Sequence, residues 1–157
     1  MVGFSDALRR AANAGRTAAE TWVRPTTVTV TVETYSEPVG SSGAGLVSTT
    51  TTTITPRPRV AAVGDGGGSA FGGGYASTSA GGLAATEYEI GPITLAYPGG
   101  GYDVDDVLPL GDVTKEVTLT LAGGAFESTG ERFEVVPGSL VATRAHQFTF
   151  RVRRVQQ

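Results

Sequence analysis

The residues 26–35 constrain the fold more than any other segment, because valine and threonine alternate along them. Val28, Val30 and Val32 fall on one side of an extended backbone, and Thr27, Thr29, Thr31 and Glu33 fall on the other. β-Branched residues in this order favour a half-buried strand over a helix. The sequence therefore predicts a β-rich chain whose first strand has one apolar face and one polar face.

Further strands are predicted from the same kind of alternation, with turns rich in Gly and Pro between them. Residues 46–54 form the second strand, and with the first they make a β-hairpin over residues 26–60. Pro56 and Pro58 lack a backbone N–H, so the chain leaves this hairpin as an edge or an extended exit. Residues 85–157 hold the remaining strands, predicted at 89–97, 113–121, 131–136 and 147–155, with a short strand or helical turn at 103–108.

An amphipathic helix is predicted at residues 5–22, ahead of the first strand. Ser5 and Asp6 are of the types that cap a helix N-terminus, and Pro25 ends the helix. The apolar residues recur at spacings of three and four, and so share one side of the helix. They are Phe4, Leu8, Ala11, Gly15, Ala18 and Trp22. This stripe is thin, so we expect the helix to need another surface to stay folded.

A Gly-rich segment occupies residues 64–82 and is predicted to be a long flexible loop. Ordering each of its residues costs about 1–2 kcal/mol, and Phe71 and Tyr75 are its only large apolar side chains. We therefore take Phe71 and Tyr75 as candidate contacts with a neighbouring subunit. The segment does not resemble a phosphate-binding loop, because no Gly-Lys-Ser/Thr ending and no helix follow its glycines.

The length of 157 residues suits one domain, which we assign to residues 1–157. Its fold class is predicted as mainly β: a small β-barrel or β-sandwich with an N-terminal α-helix and a long Gly-rich loop. The chain starts without a basic segment followed by an apolar run, and no stretch reaches the roughly 20 apolar residues that span a bilayer. We therefore expect neither secretion nor membrane insertion.

The composition removes several classes of function. There is no cysteine, which excludes disulfides, thiolate metal sites and cysteine nucleophiles. The net charge of −3 argues against non-specific binding of nucleic acid. His146 is the only histidine, no Gly-x-Ser-x-Gly motif accompanies it, and we interpret it as a loop or strand-edge residue without a catalytic role. We predict no enzyme activity and no cofactor.

Acidic residues suggest two kinds of site, both of which we reject. Four aspartates, Asp103, Asp105, Asp106 and Asp112, supply the oxygen ligands that Ca²⁺ prefers, but their spacing does not match an EF-hand, and a solvated acidic loop is the simpler interpretation. Glu127 and Glu131 have the residue type of a glycosidase carboxylate pair, yet no aromatic residues of the kind that line a sugar-binding cleft cluster near them in sequence.

Three arginines crowd the last predicted strand. Arg151 and Arg153 share one face with Thr149, while Phe148, Phe150 and Val152 occupy the other. This pattern indicates a half-buried strand with a basic outer face, or a salt-bridging surface for a partner. The acidic residues 103–112 offer an internal partner for the same arginines. The candidate subunit or partner contacts are therefore Arg151, Arg153, Arg154, Asp103, Asp105 and Asp106.

Four stretches carry a resemblance to a known family: TPRPRV at 55–60, GPITLAYPGGGY at 91–102, GERFEVV at 130–136 and FTFRVRRV at 148–155. In the order of these stretches, the chain resembles the head-closure or head-to-tail connector (neck) proteins of tailed bacteriophages. The resemblance implies a homo-oligomeric ring at the head–tail junction, contacts with portal, adaptor and tail proteins, and proximity to packaged DNA. It implies a place in the virion after assembly in the host cytoplasm, and no catalytic residues.

Other functions remain open at this point. The sequence does not separate a neck protein from a capsid-decoration protein or a tail structural protein. A ligand- or carbohydrate-binding β-sandwich is an alternative from another class, with Tyr88, Tyr97, Tyr102 and Trp22 as stacking residues. An enzyme would have to depend on His146.

Overall fold

The computed structural model describes residues 3–63, 87–143 and 146–155. A long helix comes first, and a single helical turn lies between the fourth and fifth of eight strands. The elements are α1 (Phe4–Val23), β1 (Thr27–Tyr35), β2 (Leu46–Thr53), β3 (Val60–Val63), β4 (Glu87–Thr94), α2 (Val104–Val107), β5 (Lys115–Ala122), β6 (Glu131–Val135), β7 (Val141–Thr143) and β8 (Gln147–Arg154).

In the described part of the chain, eight strands form one antiparallel sheet. Seven of them follow the order β2-β1-β5-β6-β8-β4-β3, and β7 lies off this path. β7 pairs with the first half of β8, beside the place where β6 pairs with the second half. Between these two pairings the Ser139 hydroxyl accepts a hydrogen bond from the Arg151 backbone N–H at 3.0 Å. The mainly β fold with an N-terminal helix is confirmed. The sheet is open and does not close into a barrel.

One face of the sheet carries the core. Val28, Val30 and Val32 are buried, as the alternation predicts, and the threonines between them are half-buried on the opposite face. Phe133, Phe148 and Phe150 form the bulky centre of the core, and each is at least 99% buried. Burying a side chain of this size contributes about 1.5–3 kcal/mol, so these positions dominate the stability of the sheet.

The strand predicted at 89–97 is displaced toward the N-terminus and bends at Gly91. β4 ends at Thr94, and the pairing with β8 is irregular between Ile90 and Ile93. Gly91 lies there with φ +131, and a Cβ at this position would stand 2.9 Å from the Phe148 carbonyl oxygen. Only glycine fits such a conformation and such an approach.

Other predictions need correction in detail. Two strands, β3 and β7, were not predicted, because runs of four and three residues show no periodicity. For residues 103–108, the helical turn of the two predicted alternatives is confirmed, as α2. Ser5 and Asp6 do not cap α1, which starts after Gly3 without a side-chain cap. The predicted loop 64–82, with Phe71 and Tyr75, lies outside the described residues.

Candidate functional site

The last strand places its arginines on both faces of the sheet. Arg151 and Arg153 are exposed on the outer face, while Phe148, Phe150 and Val152 are buried, as predicted. Arg154 lies on the same face of β8 as these buried residues. Its guanidinium carbon is 5.2 Å from the centre of the Phe133 ring and 6.0 Å from that of the Tyr88 ring. The three arginines therefore do not form one basic surface.

The charges of the outer face are balanced within the sheet. Arg153 Nε donates to Glu134 Oε1 on β6 at 2.7 Å. On β4, Glu87 lies opposite Arg153 and Glu89 lies opposite Arg151. In the described parts of the chain, no ion pair joins residues 103–112 to these arginines. Their acidic neighbours come from the flanking strands instead, and a balanced exposed face contributes little to stability.

Arg154 and Glu131 close one end of the core. Arg154 bonds Glu131 Oε1, and the Glu127 N–H donates to Glu131 Oε2 at 2.9 Å. Burial alone would raise the pKa of Glu131, but these hydrogen bonds and the Arg154 charge outweigh burial and lower it. For Arg154, burial would lower the pKa, but the bonds and charges of Glu131 and Tyr88 raise it. The Glu131 carboxylate is thus engaged in a structural ion pair.

The acidic segment 103–112 organises its own backbone. Asp103 Oδ1 accepts from the Asp105 N–H at 2.9 Å and so caps α2. Hydrogen bonds from the Thr114 hydroxyl and N–H lower the pKa of Asp112, and the Lys115 charge adds to this effect. Asp105 and Asp106 are exposed. Among the described residues, no group of three or more His, Cys, Asp or Glu side chains could hold a metal ion.

α1 docks onto the sheet through a polar face. Arg9 donates to the Ala96 carbonyl oxygen, Asn13 donates to the Tyr97 hydroxyl at 3.2 Å, and Arg16 donates to the Thr94 hydroxyl. Residues 9, 13 and 16 are spaced by four and three, so they share one side of the helix. This polar spacing is present in the sequence and could have identified the docking face, but the prediction followed only the apolar residues.

The arginines of α1 also fix the turn before β8. The Gln147 amide, with its oxygen toward Arg16, accepts from both terminal guanidinium nitrogens at 2.9 and 3.0 Å. His146 Nδ1 lies 3.1 Å from Arg9 Nη2, and it is the acceptor because a guanidinium only donates. Half-buried His146 stands in a turn at φ +56, consistent with its interpretation as a loop residue. Its imidazole ring thus accepts one of the hydrogen bonds by which α1 is docked.

The apolar stripe of α1 consequently faces away from the sheet. Phe4 is 81% exposed and Leu8 is 46% exposed. Ala11, Gly15 and Ala18 are exposed as well, and the side chain of Trp22 lies outside the described part of the chain. The predicted stripe exists, but no described residue covers it. The expectation that it needs another surface therefore stays a prediction.

The edge strand β2 presents a second uncovered surface. All but one of its eight residues are exposed, and none is charged. The Ile54 N–H donates to the Val28 carbonyl oxygen at 2.9 Å. Together with the strand register, this bond means that the backbone N–H and C=O groups of Thr52 and Thr50 point toward β1. The backbone groups of Thr49, Thr51 and Thr53 therefore point outward, while the register with β1 skips Val47 at the irregularity. The Tyr102 hydroxyl covers the Thr53 carbonyl oxygen at 3.2 Å.

The tyrosines proposed for ligand stacking do not share a surface. Tyr88 is buried against Phe126, with ring centres 4.9 Å apart. The Tyr102 hydroxyl bonds the backbone at residues 53 and 55, and the Tyr97 hydroxyl accepts from Asn13. These three side chains hold structural contacts, and the side chain of Trp22 lies outside the described residues. The carbohydrate-binding alternative stays an untested prediction.

Comparisons with protein-family models, with curated proteins and with solved structures found no match of any kind. None of the helices in the described part of the chain is long and apolar enough to cross a membrane.

Proposed function

We propose that this chain is a structural subunit of a larger protein assembly, and specifically a head-closure or neck protein at the head–tail junction of a tailed phage. The proposal combines two supports of different kinds. The first is the resemblance of four stretches to neck proteins. The second is the pair of uncovered surfaces on α1 and β2, which are of the kind that a neighbouring protein covers.

The observation that carries the proposal is the orientation of α1. Its polar face bonds the sheet, while its apolar stripe, with Phe4 81% exposed, faces away. Covering the Phe4 side chain would contribute about 1.5–3 kcal/mol, and covering Leu8, which is 46% exposed, would contribute roughly half as much. An assembly provides that cover. In this function the subunits form a homo-oligomer that contacts portal or adaptor and tail proteins near the packaged DNA, within a virion assembled in the host cytoplasm.

Deletion of the gene from the phage that carries it tests this function. A neck protein is needed to join the two halves of the particle, so the deletion should yield filled heads and free tails that stay apart under the electron microscope. Complementation with the intact gene should restore joined particles, and a Phe4→Gln/Leu8→Gln gene should not. Heads joined to normal tails after deletion would contradict the neck function. Heads that burst, or tails of abnormal length, would favour a decoration or tail protein.

A further inference from the structure

His146 accepts a hydrogen bond from a cation, which ties the docking of α1 to the protonation of one ring. Arg9 Nη2 lies 3.1 Å from His146 Nδ1, and because a guanidinium carries only donors, Nδ1 is the unprotonated nitrogen. The carbonyl oxygen of the same residue accepts from the Leu95 N–H at 2.9 Å. The turn before β8 is thus fixed to the sheet by its backbone and joined to α1 by its ring.

The charges around this turn are mainly positive. The charged or titratable groups that the neighbouring elements bring to it are Asp6, Arg9, Arg10 and Arg16 from α1 and Tyr97 from the segment after β4. Arg16 is 92% buried, and its guanidinium binds the amide of Gln147, the residue after His146. Within the described residues, β7 and the first half of β8 add no charge, and Arg144 lies outside them. One carboxylate therefore accompanies three guanidinium groups.

The docked arginines have few acceptors to spare. The Nε atoms of Arg9 and Arg16 are both buried, and no described residue accepts a hydrogen bond from either. The sheet offers them uncharged oxygens, at Ala96 and Thr94. A buried donor without a partner costs free energy, and the cost is larger when the group is charged. Loss of His146 as an acceptor would fall on an interface that is already short of acceptors.

We propose that His146 is a pH switch for the docking of α1: the neutral ring holds the helix on the sheet, and protonation releases it. A proton on Nδ1 removes the acceptor for Arg9 and sets a donor against a donor. It also adds a positive charge beside Arg9 and Arg16, where burial makes repulsion stronger than in water. Histidine changes its charge between about pH 5 and 8, so release follows a fall from neutral to mildly acidic pH.

Proton linkage sets the direction of the effect. The docked state holds Nδ1 unprotonated, whereas the undocked state leaves the ring free to take up a proton. The undocked state therefore binds more protons, and falling pH shifts the population toward it. At higher pH the ring is neutral in both states, and docking no longer depends on its protonation.

This switch goes beyond the proposed function and does not depend on it. It concerns how α1 is held, whereas the neck function concerns what covers the apolar stripe of Phe4 and Leu8. The switch decides whether that stripe is presented in a fixed direction. Failure of the switch would leave the stripe presented at every pH, and failure of the neck function would leave the pH dependence of docking standing.

Amide hydrogen exchange of the full chain at about pH 7.5 and about pH 5.5 tests the switch. Asp and Glu side chains stay largely ionised over this range, and His146 is the only histidine. Protection factors correct for the intrinsic exchange rate at each pH. We expect those of α1 to fall at least tenfold at the lower pH, while amides of β5 keep their protection.

His146→Asn is the matched control. Its amide oxygen can accept from Arg9 in the place of Nδ1, it does not titrate, and asparagine tolerates the φ of +56 at this position. We expect α1 of this variant to keep its protection at both pH values. An equal loss of protection in His146→Asn, or no loss in the wild type, would overturn the proposal.

Nitrogen-15 spectra of the single histidine supply an independent readout. At the higher pH we expect His146 Nδ1 to resonate as an unprotonated nitrogen, with the proton on Nε2. A proton on Nδ1 at that pH would also overturn the proposal, because the ring could not then accept from Arg9.

Discussion

At the scale of single residues, the ion pair of Arg154 and Glu131 lies where the aromatic core meets the charged residues at the end of the sheet. The Arg154 guanidinium lies over the Phe133 and Tyr88 rings, and one oxygen of Glu131 bonds it there. The other oxygen accepts from the Glu127 backbone N–H. An arginine in this position buries its stem against aromatic rings and pairs its charge at the same time. The pair therefore stabilises the end of the sheet through packing as well as charge.

The lowered pKa of Glu131 makes this contribution depend on pH. A carboxyl whose pKa is lower in the folded state stabilises the fold above its unfolded pKa of about 4.3, and the contribution is lost as the pH falls through the folded value. We expect Glu131→Gln to reduce the free energy of unfolding by about 1–2 kcal/mol at pH 7. The difference from the wild type should shrink below pH 4. Urea unfolding at several pH values measures both effects.

Glu127→Gln is the control for this prediction, because Glu127 contributes its backbone N–H to the pair and its own carboxylate is exposed. It should unfold like the wild type at every pH. If Glu131→Gln and Glu127→Gln behaved alike, the ion pair would have no special role at the end of the core.

At the scale of elements, α1 is held by hydrogen bonds rather than by apolar burial. Arg16 is 92% buried and bonds both Thr94 and Gln147, so it is the central anchor. Burial lowers its pKa, and the charge of Arg24 lowers it further. The docking leaves the apolar stripe free on the other side of the helix. The strength of this anchor decides whether the stripe is presented as an ordered surface.

We expect Arg16→Ala to release α1 from the sheet while the sheet stays folded. Losing these charge-assisted hydrogen bonds costs about 1–3 kcal/mol, so amide exchange in α1 should accelerate roughly 5- to 150-fold. Amides of β5 and β6 should keep their protection. Arg10→Ala is the control, since Arg10 is exposed and its contacts are the Pro98 carbonyl oxygen at 3.4 Å and the Tyr97 ring, whose centre lies 6.0 Å from the guanidinium carbon. Unchanged protection of α1 in Arg16→Ala would show that another contact anchors the helix.

At the scale of the whole molecule, the sequence predicted which segments become strands but not how they are arranged. Alternation identified the six longer strands, and it placed Val28, Phe148 and Phe150 in the core. The order of the sheet depends on pairings between distant segments, such as β6 with β8, which no local pattern encodes. The same limit applies to the surfaces. The stripe of α1 was predicted, but its direction depends on the bonds of Arg9 and Arg16 to the sheet.

The proposed function requires this chain to assemble through surfaces that the isolated subunit leaves uncovered. Assembly is tested by the solution mass of the purified protein, measured by light scattering over a wide range of concentrations, with negative-stain imaging of the same samples. We expect a closed ring with a mass that is a fixed multiple of 16.0 kDa and larger than a dimer. A protein that stays monomeric at every concentration, and does not bind a portal ring, would contradict the proposed function.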